Sequence, residues 1–199
     1  MLVKTQPTYT PDEYRQLEET AEFRSEYHEG EIVPISGGTI NHNRITRNLT
    51  RVLGNLFKRK PYEVFINDLR LWIPRYQRGF YPDVIVIEGP PIFTEGRQDE
   101  ILNPLLIVEV LSKSTKDFDR GDKFRFYRSI PELREYVLVD QYEFLVEQYL
   151  KTESGQWLFQ DYEGEAATVS FSSAQVQMSM SDIYEGVICE SNEVESTPE

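Results

Sequence analysis

The sequence contains little that would cross-link the chain or place it in a membrane. Its only cysteine is Cys189, so no disulfide can form within the chain, and we expect a reducing cytoplasm. The N-terminus has no charged segment followed by an apolar run and a cleavage site, as a secretory leader has. The longest nearly apolar run, LLIVEVL, has seven residues and contains a glutamate, whereas ~20 are needed to span a bilayer. These absences favour a soluble protein that has no membrane partner.

Basic residues are also scarce, since 21 Lys and Arg stand against 34 Asp and Glu and the net charge is −13. Phosphate binding depends on Lys and Arg, so this balance argues against a protein that coats nucleic acid. The basic residues are concentrated, however: from His42 to Arg78 there are nine Lys or Arg and two Asp or Glu. Residues 9–31 hold eight acids and two arginines. An anionic partner would therefore contact the middle of the chain.

Apolar periodicity and turn residues predict one α/β domain over residues 1–188, followed by a flexible acidic tail, residues 189–199. Thr10 before a proline and two acids predicts the start of a first helix, which ends before Ser25. A hairpin with a turn from His28 to Gly30 follows. The later segments then predict a helix, three strands, a helix and a strand, which is a mixed β-sheet flanked by helices in αβββαβ order. In chain order these segments are Asn41 to Lys60, YEVFINDLRLWI, FYPDVIVIE, PLLIVEVLS, DRGDKFRFYRSI with Asp119 as its cap, and LREYVLVD, which pairs with YEFLVEQYL. Near the end, QWLFQDYEG and ATVSF are predicted edge strands and MSDIYEGV a short helix.

Two carboxylates interrupt strands that are otherwise apolar on both faces. Asp83 opens the strand that contains VIVI, and Glu109 lies inside LLIVEVL. Burying an unpaired carboxylate costs several kcal/mol or forces it to take up a proton. If the two strands are neighbours, the side chains come within about 5 to 8 Å. A hard cation such as Mg²⁺ or Mn²⁺ would resolve their repulsion. The alternative is a structural salt bridge at Glu109 and a simple turn at Asp83.

Lys123 is a third charged residue in an apolar context. In the predicted helix it shares a stripe with Phe126, Tyr127 and Ile130, so it should face the sheet. An amine there can reach the carboxylates, hold an attacking water and offset negative charge in a phosphoryl-transfer transition state. Alternatively, its stem lies on apolar surface and its ammonium reaches water.

Several segments together resemble the Uma family of bacterial endonucleases, within the restriction-endonuclease-like PD-(D/E)XK superfamily. These segments, which extend from about Tyr27 to Asp140, are EGEIVPISGG, NHNRITRNL, NDLRLWIPR, YPDVIVI, LLIVEVLSKST, the helix with Asp122-Lys123 and Tyr127, and EYVLVD. The resemblance implies a restriction-endonuclease-like core, a Mg²⁺ or Mn²⁺ cofactor and a nucleic-acid substrate, with DNA favoured by analogy. It also implies a possible homodimer, since many relatives of this fold need two sites to cut two strands.

Carried over residue by residue, the resemblance implies that Asp83 and Glu109 bind the metal and that the Val110 carbonyl contributes to its coordination. The sequence departs from the superfamily pattern because Leu111 occupies the position of the usual lysine. Lys123 is the natural substitute, and Lys113 is a weaker one. This departure bears on catalysis more than on the fold.

Three further residues have open interpretations. Glu31 matches an acid of the family's hairpin and either supplies a ligand, orients Lys123, or faces solvent. His42 either contacts phosphate, acts as an acid towards a leaving oxygen, or simply begins a helix. Asp68 either supports the site or pairs with Arg70.

A basic stripe on the second predicted helix is the candidate nucleic-acid surface, and a solvated helix face is the alternative. The stripe consists of Arg44, Arg47, Arg51 and Lys58, with Arg70, Arg75 and Arg78 as a possible extension.

The sequence therefore predicts hydrolysis of a nucleic-acid phosphodiester, with Asp83 and Glu109 on the metal and Lys123 beside the water. A rival hypothesis is a catalytically weak or inactive module of nuclease fold that binds nucleic acid or a protein. A two-carboxylate glycosidase is a second rival, but it explains neither Lys123 nor the basic stripe.

Overall fold

The computed structural model describes residues 8–189 of the chain. Within that range the helices are α1 (Pro11–Thr20), α2 (Ile40–Leu56), α3 (Lys116–Phe118), α4 (Phe124–Tyr127) and α5 (Met180–Ile183). The strands are β1 (Ser25–His28), β2 (Glu31–Pro34), β3 (Tyr62–Ile66), β4 (Arg70–Ile73), β5 (Arg78–Phe80), β6 (Val84–Glu88), β7 (Glu100–Ile101), β8 (Leu106–Leu111), β9 (Glu135–Asp140), β10 (Leu145–Lys151), β11 (Trp157–Glu163), β12 (Thr168–Phe171) and β13 (Val176–Ser179). No helix among these residues is long and apolar enough to cross a membrane.

The main sheet has six strands in the order β11-β10-β9-β8-β6-β3. Strands β3, β6 and β8 pair antiparallel, whereas β8 and β9 pair parallel. Helix α2 precedes β3, and the helical segment that contains α3 and α4 joins β8 to β9. The predicted αβββαβ order and the mixed sheet are therefore confirmed.

The two faces of the main sheet are covered by different elements. Val108 and Val110 belong to a core with α2, α5 and the β12–β13 hairpin. Ile107 and Leu111 belong to a core with α4 and the second sheet. Because successive side chains in a strand alternate between faces, Glu109 points towards α4.

The second sheet has the order β2-β1-β5-β4-β7 and corrects two predicted strands. The segment YEVFINDLRLWI is two strands in different sheets, because the chain turns at Asn67, whose φ is +41°. The segment FYPDVIVIE is likewise divided between β5 and β6. Apolar residues flank both turns, so each pair of strands was predicted as one, although Asn67-Asp68 and Pro82-Asp83 are typical turn residues.

The N-terminal helix and hairpin are confirmed. The Thr10 hydroxyl accepts a hydrogen bond from the amide of Glu13, whose carboxylate accepts from the Thr10 amide, so a capping box starts α1. Strands β1 and β2 form the predicted hairpin around Glu29 and Gly30, both with positive φ.

The helical segment after β8 differs from the prediction at its start. Asp119 does not cap it, because α3 already begins at Lys116 and the Asp119 amide donates to the Thr115 carbonyl. Asp119–Lys123 instead form a π-helical turn between α3 and α4, and such turns are frequent at functional sites.

The C-terminal predictions differ in outcome. Strand β11 lies at the edge of the main sheet, β12 pairs with β13, and α5 is the predicted short helix. The boundary at residue 188 and the flexible tail stay predictions, and residues 190–199 lie outside the described residues.

Candidate active site

Asp83 and Glu109 lie side by side at the end of two neighbouring strands. In the β6–β8 ladder Val84 pairs with Val108, so the same register places Asp83 opposite Glu109. At this point the ladder ends, and the Val110 amide donates to Oδ2 of Asp83 at 2.8 Å. The two strands are therefore neighbours, which was the condition for the two carboxylates to approach each other.

The Lys123 ammonium lies among three carboxylates. Its Nζ is 2.9 Å from Oε1 of Glu109, 3.3 Å from Oδ1 of Asp119 and 3.8 Å from Oε1 of Glu26. Asp119 and Lys123 are four residues apart, a spacing that places both on the same side of the helical segment. The structure thus places the amine against Glu109, which is the convergence that the sequence suggested.

Burial and charge set the protonation of this pair. Burial raises the pKa of the Glu109 carboxyl, and the charges of Asp83 and Asp119 raise it further, against the opposing charge of Lys123. Burial would lower the pKa of Lys123, but the charges of Glu109, Glu26 and Asp119 outweigh it and hold this pKa well above its ordinary value. The ammonium form is therefore retained, and added positive charge beside Glu109 would favour its carboxylate.

The acid that the hairpin contributes is Glu26, whereas Glu31 was the predicted residue. Glu31 is exposed in β2, the edge strand of the second sheet, and lies one strand further from β5 than Glu26 does. Glu26 Oε2 also lies 2.9 Å from Nε2 of His28. Burial opposes ionisation of Glu26, but the Lys123 charge and the His28 contact outweigh it and lower its pKa.

Tyr127 contributes a hydrogen bond that sequence reasoning did not assign. Its hydroxyl donates to Oε1 of Glu109 at 2.7 Å, and the side chain is fully buried. A buried tyrosine needs a partner for its hydroxyl. Tyr127 lies one helical turn after Lys123, so the need of its hydroxyl for a buried partner could have indicated from the sequence that it contacts Glu109.

His42 contacts the site from α2. Its Nε2 lies 3.1 Å from Oδ2 of Asp83. Burial lowers the pKa of this imidazole, but the hydrogen bond and charge of Asp83, together with Glu109, raise it overall. The structure thus places His42 beside a predicted metal ligand, which sequence reasoning had not foreseen.

The basic stripe of α2 extends along the side of the main sheet opposite α4. The Arg47 side chain is exposed and donates to Oδ1 of Asn48 at 3.0 Å. Arg51 is exposed and forms an ion pair with Glu185. Lys58 is exposed and Arg44 is half-buried. Binding of nucleic acid by this stripe stays a prediction.

Arg70 does not extend that stripe, because it is buried within the second sheet. Its Nε donates to Oε2 of Glu100 at 2.6 Å, and Nη2 lies 3.2 Å from Oδ2 of Asp99. The predicted alternative of an Asp68 pair with Arg70 is also wrong. Asp68 is exposed and lies 3.8 Å from Nε of Arg24.

The donors at Asp83 and Glu109 fit a hard cation that keeps most of its water. The two protein contacts of Asp83 are at Oδ2, and those of Glu109 are at Oε1. Among residues 8–189, no hydrogen bond or ion pair involves the second oxygen of either group. That range also contains no group of three or more His, Cys, Asp or Glu placed to hold a metal ion. Two carboxylates with several waters are nevertheless an ordinary arrangement for Mg²⁺.

The fold and the chain's relatives define its class. A solved structure from Anabaena variabilis, described as a putative nuclease belonging to DUF820, superposes with a TM-score of 0.74 at 20% identity, covering 90% of this chain and 99% of that one. This likeness shows a nuclease-type α/β fold. The sequence profile of the Uma2 family, described as putative restriction endonuclease, matches residues 11–181. The chain belongs to this family, as the resemblance predicted.

Two relatives come from Synechocystis sp., both described as uncharacterized proteins. The protein sll1609 is 48% identical over 172 residues, which are 86% of this chain and 97% of the relative. The protein slr1290 is 32% identical over 182 residues, which are 91% of this chain and 94% of the relative.

Proposed function

We propose that the chain is a divalent-metal-dependent nuclease that hydrolyses phosphodiester bonds, with DNA as its substrate. The observation that carries the proposal is the 2.9 Å contact between the Lys123 ammonium and the Glu109 carboxylate. Asp83 lies opposite Glu109 on the neighbouring strand. Membership of a restriction-endonuclease-like family supports it.

Asp83 and Glu109 are the residues that would hold Mg²⁺ or Mn²⁺, and the Val110 carbonyl is a further candidate ligand. When bound, such an ion supplies Lewis-acid stabilisation of negative charge on the phosphate oxygens. Lys123 places its ammonium where it can orient the attacking water and neutralise the charge that develops.

The remaining residues orient these groups. Glu26 and Asp119 hold the Lys123 ammonium from other sides, so it is fixed before substrate arrives. The Tyr127 hydroxyl fixes Glu109, and His42 fixes Asp83. Glu31 is too exposed to share these contacts and is not part of the proposed site.

The position of Lys123 supports catalysis without a lysine on the strand itself. Leu111 occupies the usual position and is buried. The Lys123 ammonium nonetheless contacts Glu109 of β8, because the helical segment that contains α4 packs over this strand. A module that binds nucleic acid without cutting remains the outcome to test against.

The test is nicking of supercoiled plasmid and cleavage of single-stranded DNA in Mg²⁺ or Mn²⁺. We expect cleavage by the wild type and its loss in Asp83→Asn, Glu109→Gln and Lys123→Met. Lys116→Met is the matched control, since Lys116 is exposed on the same helical segment. Equal DNA binding by all variants with no cleavage by any would reject the nuclease and favour the binding module.

A further inference from the structure

A group of cationic and aromatic side chains lies beside the candidate active site; its Arg75 and Arg125 are exposed, whereas its Phe126 is buried. We call it the arginine cluster; it comprises Arg75, Tyr76 and Arg78 at the β4–β5 turn, and Arg125 and Phe126 on α4. The guanidinium carbons of Arg75 and Arg125 lie 5.5 and 5.8 Å from the Tyr76 ring centroid. Those of Arg78 and Arg125 lie 4.4 and 5.1 Å from the Phe126 ring centroid. Two rings, which meet edge to face at 5.1 Å, thus hold three guanidinium groups together.

The positive charge of the arginine cluster is only partly matched. The acids that face it are Glu29, 3.6 Å from Arg78, and Asp122, 3.6 Å from Arg125, and both are mostly exposed to solvent. Within the described part of the chain Arg75 forms no ion pair, and Nε of Arg78 is buried without a hydrogen-bond partner. A surplus of positive charge therefore persists here, although the net charge of the chain is −13.

The geometry of the arginine cluster suits phosphate oxygens. Arg75 and Arg125 are exposed, so their guanidinium N–H groups are accessible donors while the guanidinium carbons lie over the Tyr76 ring. Those donors match the oxygens of a phosphodiester, and such charge-assisted hydrogen bonds are strong.

The arginine cluster lies close to the Lys123 ammonium. The Phe80 ring is 6.1 Å from the Phe126 ring and 5.7 Å from Nζ of Lys123. Arg78 also pairs with His28 across the β1–β5 ladder, and His28 contacts Glu26 beside Lys123. One buried ring, that of Phe80, therefore separates the arginine cluster from the Lys123 ammonium.

We propose that the arginine cluster binds the phosphate backbone of a nucleic-acid strand that leads into the candidate active site, without regard to base sequence. This inference rests on the proposed nuclease function and gives its substrate a contact surface distinct from the α2 stripe. Tyr76 and Phe126 serve to orient the guanidinium groups.

The experiment measures binding of a fluorescently labelled single-stranded DNA oligonucleotide by anisotropy, in EDTA and over a range of salt concentrations. In the Arg75→Ala/Arg125→Ala double variant we expect weaker binding and a salt-dependence slope smaller by about 1.4, since each phosphate contact on a single strand contributes about 0.7. Tyr76→Ala should also weaken binding, whereas Tyr76→Phe keeps the ring and should bind as the wild type does. Arg134→Ala is the matched control, since Arg134 is exposed and contacts the Pro131 carbonyl.

Wild-type affinity and slope in the double variant would overturn the inference, as would an absence of DNA binding by the wild type. Thermal unfolding of each variant excludes a folding defect as the cause of lost binding. The two proposals can fail separately because this assay needs no hydrolysis. If the double variant loses DNA binding and the wild type does not cleave DNA in Mn²⁺, the nuclease proposal would be rejected. The proposal that the arginine cluster binds nucleic acid would still be supported.

Discussion

Replacing Lys123 with methionine removes the cation that contacts the buried carboxylates of Glu109 and Asp119 and the half-buried carboxylate of Glu26. The Lys123 side chain is 9% exposed, and those of Glu109 and Asp119 are 5% and 3% exposed. Methionine keeps most of the length of the side chain, so the change removes charge more than volume. The carboxylates then stay buried with no opposing charge at their centre.

The magnitude follows from the contact distances. When Glu109 is ionised, its attraction for the Lys123 ammonium 2.9 Å away is about 6 kcal/mol at an effective dielectric constant of about 20. Much of this attraction offsets the desolvation of the two groups, but that desolvation remains for the acid when its partner is removed. We therefore expect the free energy of unfolding to fall by about 3 to 5 kcal/mol.

Urea unfolding at neutral pH measures the change in the free energy of unfolding, provided that the m value is the same in both proteins. Lys116→Met is the control, because a substitution of an exposed lysine should change the stability by at most about 0.5 kcal/mol. If the free energy of unfolding of Lys123→Met lay within about 1 kcal/mol of that of the control, the ammonium would not be the charge that stabilises the buried acids. That result would refute the reasoning.

Three other changes give sharp expectations. Tyr127→Phe removes the donor to Glu109 and should lower the free energy of unfolding by about 1.5 to 3 kcal/mol in urea; no change would mean that the hydroxyl is not bonded to a charged group. Arg70→Met removes a hydrogen bond to the buried Glu100 carboxylate, which keeps Arg15 at 2.9 Å as its other partner, and should lower the free energy of unfolding by about 1.5 to 3 kcal/mol; a neutral effect in thermal unfolding would mean that Arg15 alone compensates Glu100. Burial raises the folded-state pKa of Glu135 above 4.5, so its folded form holds the proton more tightly. Relative to Glu135→Gln, the wild type should therefore be most stable below pH 4.5 and lose stability as the pH rises through the folded-state value, and parallel pH profiles of the two proteins would contradict this.

The sequence predicted the parts of the site that obey local rules. Asp83 and Glu109 stood out because charge is rare in strands covered on both faces, and Lys123 because it shared a helical stripe with apolar residues. The same rule applied to RLWI would have indicated that Arg70 is buried beside an acid. Arg70 was predicted instead to extend the basic stripe, because Arg75 and Arg78 follow it within eight positions of the sequence.

Other parts depend on contacts between distant segments. Glu26 reaches Lys123 because β1 pairs with β5, and the sequence of the hairpin contains no signal for that pairing. Asp119 appeared to be a helix cap because the π-helical turn that buries it has no simple sequence signature. The arginine cluster likewise joins the β4–β5 turn to α4, some fifty positions apart along the chain.

The most direct measurement is anomalous diffraction at the manganese edge from crystals soaked in Mn²⁺. We expect a peak within bonding distance of one oxygen each of Asp83 and Glu109, and its loss in crystals of Glu109→Gln. Peaks found only at exposed acids elsewhere, with Glu109 still bound solely to Lys123 and Tyr127, would contradict metal-dependent hydrolysis at this site.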